Sequence, residues 1–452
     1  MRAVTTPSCL TGGRYRAGRA EPSRGYLPLE GWRCHLPHVL RLHRLDLTDF
    51  RNYASLSWRP ETPVSVLVGP NGSGKTNLLE AISLLVPGRG LRGARGADLP
   101  RQGGPGPWAV FGRFSTVLGP ADIGAGSPPE GGERRIFRLD GATPRTQAEI
   151  GNRAAAVWLT PRMDRLFQEG ASGRRRFLDR LVWALEAGHA REVAAHDAAM
   201  AQRNRLLAEG GADAAWLAGL EDAMARHGVA VTAARMALTR RLNETMAGEG
   251  TAGEGLVPGF PAARMGLVCR IADRLAENPA LEVEDWLRDV LACGQARDAA
   301  AGATLTGPHR ADMTLTMPGL TRQRDGGPGG MGQGGMGQGG EEGGSLEAGL
   351  ASTGQQKALL IGVVLSHARL IAEARGFAPL LLLDEPAVHL DAARRAVLFS
   401  ALRESPAQVV MTGTDAETFL PLAGCAEAWR AGQGGLTREP GFSGLSSAVR
   451  VC

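Results

Sequence analysis

Only two of the 51 basic residues in this 452-residue chain are lysines, Lys75 and Lys357; the rest are arginine. Lys75 stands in a run where Gly69, Pro70, Asn71, Gly72, Ser73, Gly74, Lys75 and Thr76 spell G-x-x-x-x-G-K-[ST]. That pattern suits a nucleoside triphosphate such as ATP. Glycines let backbone N–H groups close around phosphates, and a following helix start adds the positive end of its dipole. Lys75 can reach the β- and γ-phosphates, and the Thr76 hydroxyl can hold Mg²⁺. In a chain so biased toward arginine, lysine persists at 75 because a slim point charge fits there and a planar guanidinium does not.

The far half supplies acids. "PLLLLDEPAVHLD", residues 379–391, carries four leucines into Asp384 and Glu385. A buried strand there would deliver both to the carboxyl edge of a sheet, where ligands sit in α/β folds. Asp384 would hold Mg²⁺, directly or through water. Glu385 would orient and deprotonate an attacking water. Upstream, Ser352, Thr353, Gly354 and Gln355 open the apolar stretch "LASTGQQKALLIGVVL", residues 350–365. A helix start with Ser and Gly offers backbone donors to an anion.

These groups need elements to place them. Val64–Val68 is apolar and β-branched, and Asn77–Leu85 suits a helix, so the glycine run lies between strand and helix as the chemistry requires. Residues 39–160 alternate apolar and polar, as in "VLRLHRLDLTDF" and "ERRIFRLDG", and read as strands around the loop. Residues 161–303 read as helices. Leu217, Met224, Val231 and Leu238 recur every seven residues with Leu220 on the same face, an amphipathic helix of roughly three heptads. A long coiled coil needs more repeats. Residues 304–440 return to strand and helix, interrupted by the Gly-rich linker 324–345. The expected fold is α/β: a P-loop ATPase lobe in two halves with a helical second lobe inserted. Residues 1–38, rich in Gly, Pro and Arg, read as a disordered extension or as a start codon placed too early, and 441–452 as a tail.

The net charge of +5 is concentrated at the front. Residues 1–45 hold eight Arg against two Glu, leaving about −1 for the remainder. A nucleic-acid partner must therefore be met by local patches. Arg174, Arg175 and Arg176, with Arg180 near the same face, form one such run; they can neutralise DNA phosphates or simply make a solvated helix face. Six scattered cysteines without metal spacing read as free thiols of a cytoplasmic protein. No apolar run approaches membrane-spanning length.

The stretch at Ser352 resembles the signature motif of ABC-type ATPases, in which one subunit's signature closes on the nucleotide of the other. From Lys75 to Ser352 is 277 residues, far more than transporter-type subunits insert. That length points to the chromosome-maintenance and repair branch, of ABC/SMC type. Within it the chain resembles the RecF family of bacterial recombination mediators over about residues 39–435. "LTDFRNY" (47–53), "TPRMDRLFQEGASGRRRFLDRLV" (160–182), "QRNRLL" (202–207), "LTGPHRADM" (305–313), "STGQQKALL" (352–360) and "LLLLDEPAVHLD" (380–391) are similar to its motifs, in order. The resemblance implies a protein of replication, repair and the SOS response that dimerises around two ATP molecules. It implies binding to single- and double-stranded DNA at gaps, and recombinase loading with RecR- and RecO-like partners. Its ATPase would be weak, DNA-stimulated and used as a switch. Arg51, Asn52, Ser352, Gly354 and Gln355 would join the loop around the nucleotide.

The chain departs from the pattern in places. Ala311 replaces the first of two acids after "GPHR", leaving Asp312. The Gly-rich segment is longer than the family connection. No histidine follows "QVVMTGTD", so Thr412 or Thr414 would have to sense the γ-phosphate, and no Gln-loop residue stands out. The rival reading is an ABC-type ATPase subunit of another assembly, a transporter or a structural tether. The first is disfavoured by the long insert, the second by an insert too short for a long antiparallel coiled coil.

Overall fold

The computed structural model describes residues 40–128, 135–210, 213–247, 260–318, 345–432 and 434–442. The extension at 1–38, the Gly-rich linker up to residue 344 and the tail from 443 onward lie outside the described residues.

The first part of the chain runs through β1 (Arg41–Phe50), β2 (Tyr53–Trp58), β3 (Val64–Val68), α1 (Lys75–Ser83), β4 (Ala109–Thr116), β5 (Gly119–Gly126), β6 (Ile136–Leu139), α2 (Gln147–Gly151) and β7 (Ala156–Leu159). Next come α3 (Ala171–Leu185), α4 (His189–Glu209), α5 (Ala214–Ala247), β8 (Arg264–Val268), α6 (Arg270–Leu275), α7 (Ala280–Cys293) and α8 (Gln295–Ala301). The last part holds β9 (Asp312–Pro318), β10 (Ser345–Glu347), α9 (Thr353–Arg375), β11 (Leu380–Leu383), α10 (Ala392–Glu404), β12 (Val409–Gly413), β13 (Ala426–Gly432) and β14 (Gly435–Arg438).

Two large sheets share one apolar core. The first is antiparallel in the order β2-β1-β4-β5-β6, and its strands alternate buried and exposed residues because one face is covered. The second has the order β14-β13-β3-β12-β11-β7, parallel except for β14. Here β3, β7, β11 and β12 are buried at every position. Continuous apolar runs such as "LLLL" are what a parallel strand covered on both faces requires. The halves on either side of the insert meet in this sheet: β3 and β7 from the first half interleave with β11, β12 and β13 from the second.

In α5, Leu217, Met224, Val231 and Leu238 are buried and Leu220 half-buried. The stripe continues through Leu242 and Met246, making a helix of 34 residues. Its first half, at Met224 and Val229, packs in a second core with Val283, Leu287 and Leu291 of α7. Its second half, at Leu238, Leu242 and Met246, enters the main core. The helix is thus a strut about 51 Å long reaching from one core to the other. Arg203 of α4, fully buried, ties this region together through Glu221 (2.9 Å), Asp298 (2.9 Å), the Thr304 hydroxyl (2.9 Å) and the Leu291 carbonyl (2.8 Å).

One segment differs from the helical expectation for 161–303. Residues Arg264–Val268 form β8, which pairs antiparallel with β9 from Arg264↔Thr316 to Val268↔Asp312. The ladder of β9 recruits this stretch, a long-range pairing that outweighs the helical pattern on either side.

Candidate nucleotide site

The phosphate loop turns between β3 and α1 at the carboxyl edge of the parallel sheet. Two of its glycines are dictated by space as well as by backbone. Gly69 has φ 143°, and a Cβ there would lie 2.7 Å from the Ala431 carbonyl oxygen. Gly74 has φ 105°, and a Cβ would lie 2.7 Å from the Tyr53 hydroxyl oxygen and 2.9 Å from Asn52 Oδ1. The Tyr53 hydroxyl also donates to the Gly74 carbonyl at 3.1 Å, and burial pushes its pKa up to about 12. Pro70, Asn71 and Gly72 form the tip of the loop, and the Ser73 amide donates back to the Pro70 carbonyl at 3.2 Å.

The Lys75 ammonium donates to the carbonyls of Gly69 (2.6 Å) and Pro70 (2.9 Å). Burial lowers its pKa, while Glu385 and Asp384 oppose that shift. The Thr76 hydroxyl donates to Asp384 Oδ1 at 2.9 Å, joining residues 308 apart in sequence. Asp384 directly follows β11, as a continuous apolar strand would place it, and also accepts from the buried Thr412 hydroxyl at 2.7 Å. The same Thr412 oxygen accepts the Glu385 amide at 2.9 Å. A hydroxyl and a carboxylate in contact beside a phosphate loop are hard oxygen donors that fit Mg²⁺, which takes one or two protein ligands and completes its shell with phosphate and water. Among the described residues no group of three or more His, Cys, Asp or Glu gathers to hold a metal without such help.

Glu385 is partly exposed and has φ 51°, the left-handed region that a non-glycine residue occupies only when its surroundings impose it. Lys357 is part of what imposes it. Its ammonium, buried on α9, donates to the Glu385 carbonyl at 2.8 Å and lies 3.7 Å from Asp164. Reading for motifs missed this role; the one signal was a second lysine in a chain that otherwise uses arginine. Three residues earlier on α9, a Cβ at Gly354 would lie 3.0 Å from the His389 carbonyl oxygen, so this helix start and the loop after Glu385 touch. Ser352 and Gln355 cap the helix reciprocally: the Gln355 amide donates to Ser352 Oγ (3.4 Å) and the Ser352 amide to Gln355 Oε1 (3.0 Å). The side chains of this pair serve the helix end. Donors for an anion here are the first-turn N–H groups of Thr353 and Gly354, which have no intrahelical acceptor.

Several expected site residues do other work. Arg51 grips the buried Glu80 of α1 with two bonds of 2.9 and 2.8 Å, and its φ of 55° holds it in that pose. Its guanidinium is committed to fixing the β1–β2 hairpin on α1. Asn52 does stand at the loop rim, accepting from Asn77 Nδ2 at 2.7 Å. Thr412 is fully buried and binds both Asp384 and the Glu385 amide; Thr414 is exposed, donates to Asp415 at 2.9 Å, and its carbonyl accepts the Gly69 amide of the phosphate loop at 3.3 Å.

The arginine run on α3 is likewise not a shared solvent face. Arg174 holds Asp312 with two bonds of 2.7 Å, and each partner's pKa moves in the direction of its charged form, chiefly through those hydrogen bonds. Arg175 donates to the Ala311 carbonyl at 2.8 Å. Arg180 turns inward against the rings of Trp158 and Phe177. Arg176 alone of the four is exposed. The "GPHRAD" turn is therefore a joint: Asp312 and the Ala311 carbonyl receive α3, and the Pro308 carbonyl receives Arg235 of α5 at 2.7 Å. Ala311 itself is buried in the second core, where an ionised side chain would need a partner.

Comparison with known proteins completes this picture. The protein-family model described as "AAA domain, putative AbiEii toxin, Type IV TA system" matches residues 64–120, a span from β3 through the phosphate loop, α1 and β4 that bears on the nucleotide fold alone. In structure the chain is similar to "the recombination mediator protein RecF-ATPrS in RecFOR pathway", with TM-score 0.71 and 20% identity over 89% of this chain and 100% of that one. In sequence it is 45% identical to the DNA replication and repair protein RecF of Mesorhizobium japonicum, over 87% of this chain and 96% of that protein. It is 41% identical to the protein of the same name from Rhizobium rhizogenes, over 89% of this chain and all of that protein. At such identity over nearly the whole length, the chain belongs to the RecF family of DNA replication and repair proteins.

Proposed function

We propose that this protein is an ATP-driven clamp for gapped DNA in recombinational repair. It binds ATP, pairs with a second copy of itself around two nucleotides, and engages DNA where duplex meets single strand. There, with RecR- and RecO-like partners, it aids recombinase loading. The observation that carries this reading is the meeting of Thr76 and Asp384 at 2.9 Å beside the phosphate loop, with Glu385 held next to them in a strained backbone pose.

The geometry supports the following roles. Loop N–H groups and Lys75 would hold the phosphates, the ammonium exchanging the carbonyls of Gly69 and Pro70 for phosphate oxygens. Thr76 and Asp384 would hold Mg²⁺, which supplies charge neutralisation at the phosphates. Glu385 would accept a proton from water as the water oxygen bonds to the γ-phosphorus and the bond to the β–γ bridging oxygen breaks, giving ADP and phosphate. The N–H groups of Thr353 and Gly354 would meet the γ-phosphate of the other copy. Closure would then require ATP in both sites, and slow hydrolysis would time release.

Sedimentation with and without ATP tests the clamp. A bulky cation at the helix start, Ser352→Arg, should block ATP-dependent dimerisation while leaving ATP binding to the home site intact. Glu385→Gln keeps the pocket and removes the base, so closed dimers should accumulate. A Ser352→Arg protein that dimerises with ATP as the parent does would overturn this arrangement.

A further inference from the structure

At the amino ends of the parallel strands, on the edge away from Asp384, α3 packs on β7 and α9 beside a small pocket. Its volume is about 20 Å³, space for one guest of water or halide size. The polar side chains lining it are Trp158, Arg180, Trp183 and Arg375, and all four are hydrogen-bond donors. No carboxylate lines the pocket.

Three of the donor atoms are unused. The indole Nε1 atoms of Trp158 and Trp183 and the Nε of Arg180 are buried without a hydrogen-bond partner among the described residues. Trp158 is 4% exposed. Arg180 lies with its guanidinium carbon 4.9 Å from the centre of the Trp158 ring and 5.0 Å from that of Phe177. Its one terminal nitrogen with partners makes long bonds of 3.4 Å, to the Trp158 carbonyl and to Met163 Sδ. Arg375 spends its fork on two carbonyls, those of Ala184 (2.9 Å) and Gly151, and meets no acid. Burial lowers the pKa of both guanidinium groups, with no neighbouring acid to raise it.

Two half-buried guanidinium groups without an acid partner and two indoles whose N–H groups have no partner among the described residues line one space, an arrangement that a negative charge would favour. We propose that this pocket takes a small monovalent anion of chloride's size, which serves as the missing counter-charge and fastens α3 to β7 and α9. The volume suits a monatomic ion better than a phosphate. The site is remote from the phosphate loop and does not depend on the nucleotide reading.

The test uses the full chain without nucleotide. Thermal unfolding is followed while chloride replaces gluconate at constant ionic strength, so that screening of surface charges does not change. The melting temperature should rise with the logarithm of chloride concentration, as for a ligand that binds only the folded state. Arg180→Met should abolish that rise, and in gluconate it should melt no lower than the parent because a buried unpaired charge has been removed. Trp183→Phe, which keeps the cation and removes one donor, should need several-fold more chloride for the same rise, and it serves if the Arg180 variant does not fold. A parent melting temperature indifferent to chloride, or the same rise in Arg180→Met, would overturn the proposal. A rise produced by phosphate and not by chloride would overturn the assignment to a monatomic ion.

Discussion

Replacing Lys357 by methionine should slow ATP hydrolysis without weakening ATP binding. The substitution keeps a long flexible side chain on α9 and removes the buried ammonium that donates to the Glu385 carbonyl at 2.8 Å. A hydrogen bond from a charged donor contributes about 1.5–3 kcal/mol. Holding a non-glycine residue in the left-handed region costs about 1–3 kcal/mol. The two are of the same order, so the bond from Lys357 is large enough to decide whether Glu385 keeps its φ of 51°. Losing it should shift Glu385 toward ordinary backbone and raise the barrier by the same amount, a fall in kcat of roughly 10- to 100-fold. Global stability should fall as well, because the variant leaves Asp164, 3.7 Å from the lost ammonium, without its counter-charge. Single-turnover hydrolysis, measured beside equilibrium ATP binding and a melting curve, separates these effects. Hydrolysis at the parent's rate by a folded Lys357→Met protein would refute the reasoning.

Lys75→Ala should lose ATP affinity and ATP-dependent DNA binding together, since Lys75 brings the loop's own positive charge to the phosphates; retained affinity in a filter assay would contradict this. In DNA-binding titrations, Arg176→Ala should reduce the log–log salt slope by at most about one unit, near the ~0.9 expected for one phosphate contact. Arg174→Ala should leave that slope alone and lower stability by roughly 1 kcal/mol, because it breaks a partly exposed two-bond pair with Asp312. Acid should destabilise the lobe joint through His309, whose pKa burial lowers from 6.5 to about 4. The unfolded chain takes up that proton first, so stability is intact above pH 6.5 and falls, by about 3 kcal/mol in all, as the pH drops to about 4. His309→Gln keeps a donor for the Thr304 carbonyl that Nε2 reaches at 2.9 Å and should flatten this acid limb; an unchanged limb would place its cause elsewhere.

What could be read from the sequence was whatever depends on neighbours along the chain. The strand–glycine loop–helix unit spans 64–83, and Asp384 follows its own apolar strand, so both were legible as short patterns. The α5 stripe was legible for the same reason, although its length was not, because Leu242 and Met246 continue it against a core built by distant elements. Side chains whose meaning lies in a remote partner were not legible. Arg174 and Asp312 are 138 residues apart, and nothing local distinguishes a paired arginine from a solvated one. Arg51 carries a family motif, yet its partner is Glu80 on the next helix. Lys357 needed Glu385 and Asp164 to make sense. Strand β8 needed β9, since five residues with one glycine specify a strand only once a free ladder edge is beside them.

The central claim, that ATP drives this protein onto gapped DNA, is tested most directly by measuring binding to gapped, duplex and single-stranded DNA with and without ATP, at two salt concentrations. The account predicts that ATP strengthens binding to the gapped substrate above the other two, that the binding weakens with salt, and that Lys75→Ala abolishes the ATP-dependent part. Equal binding to all three substrates whether or not ATP is present would contradict it.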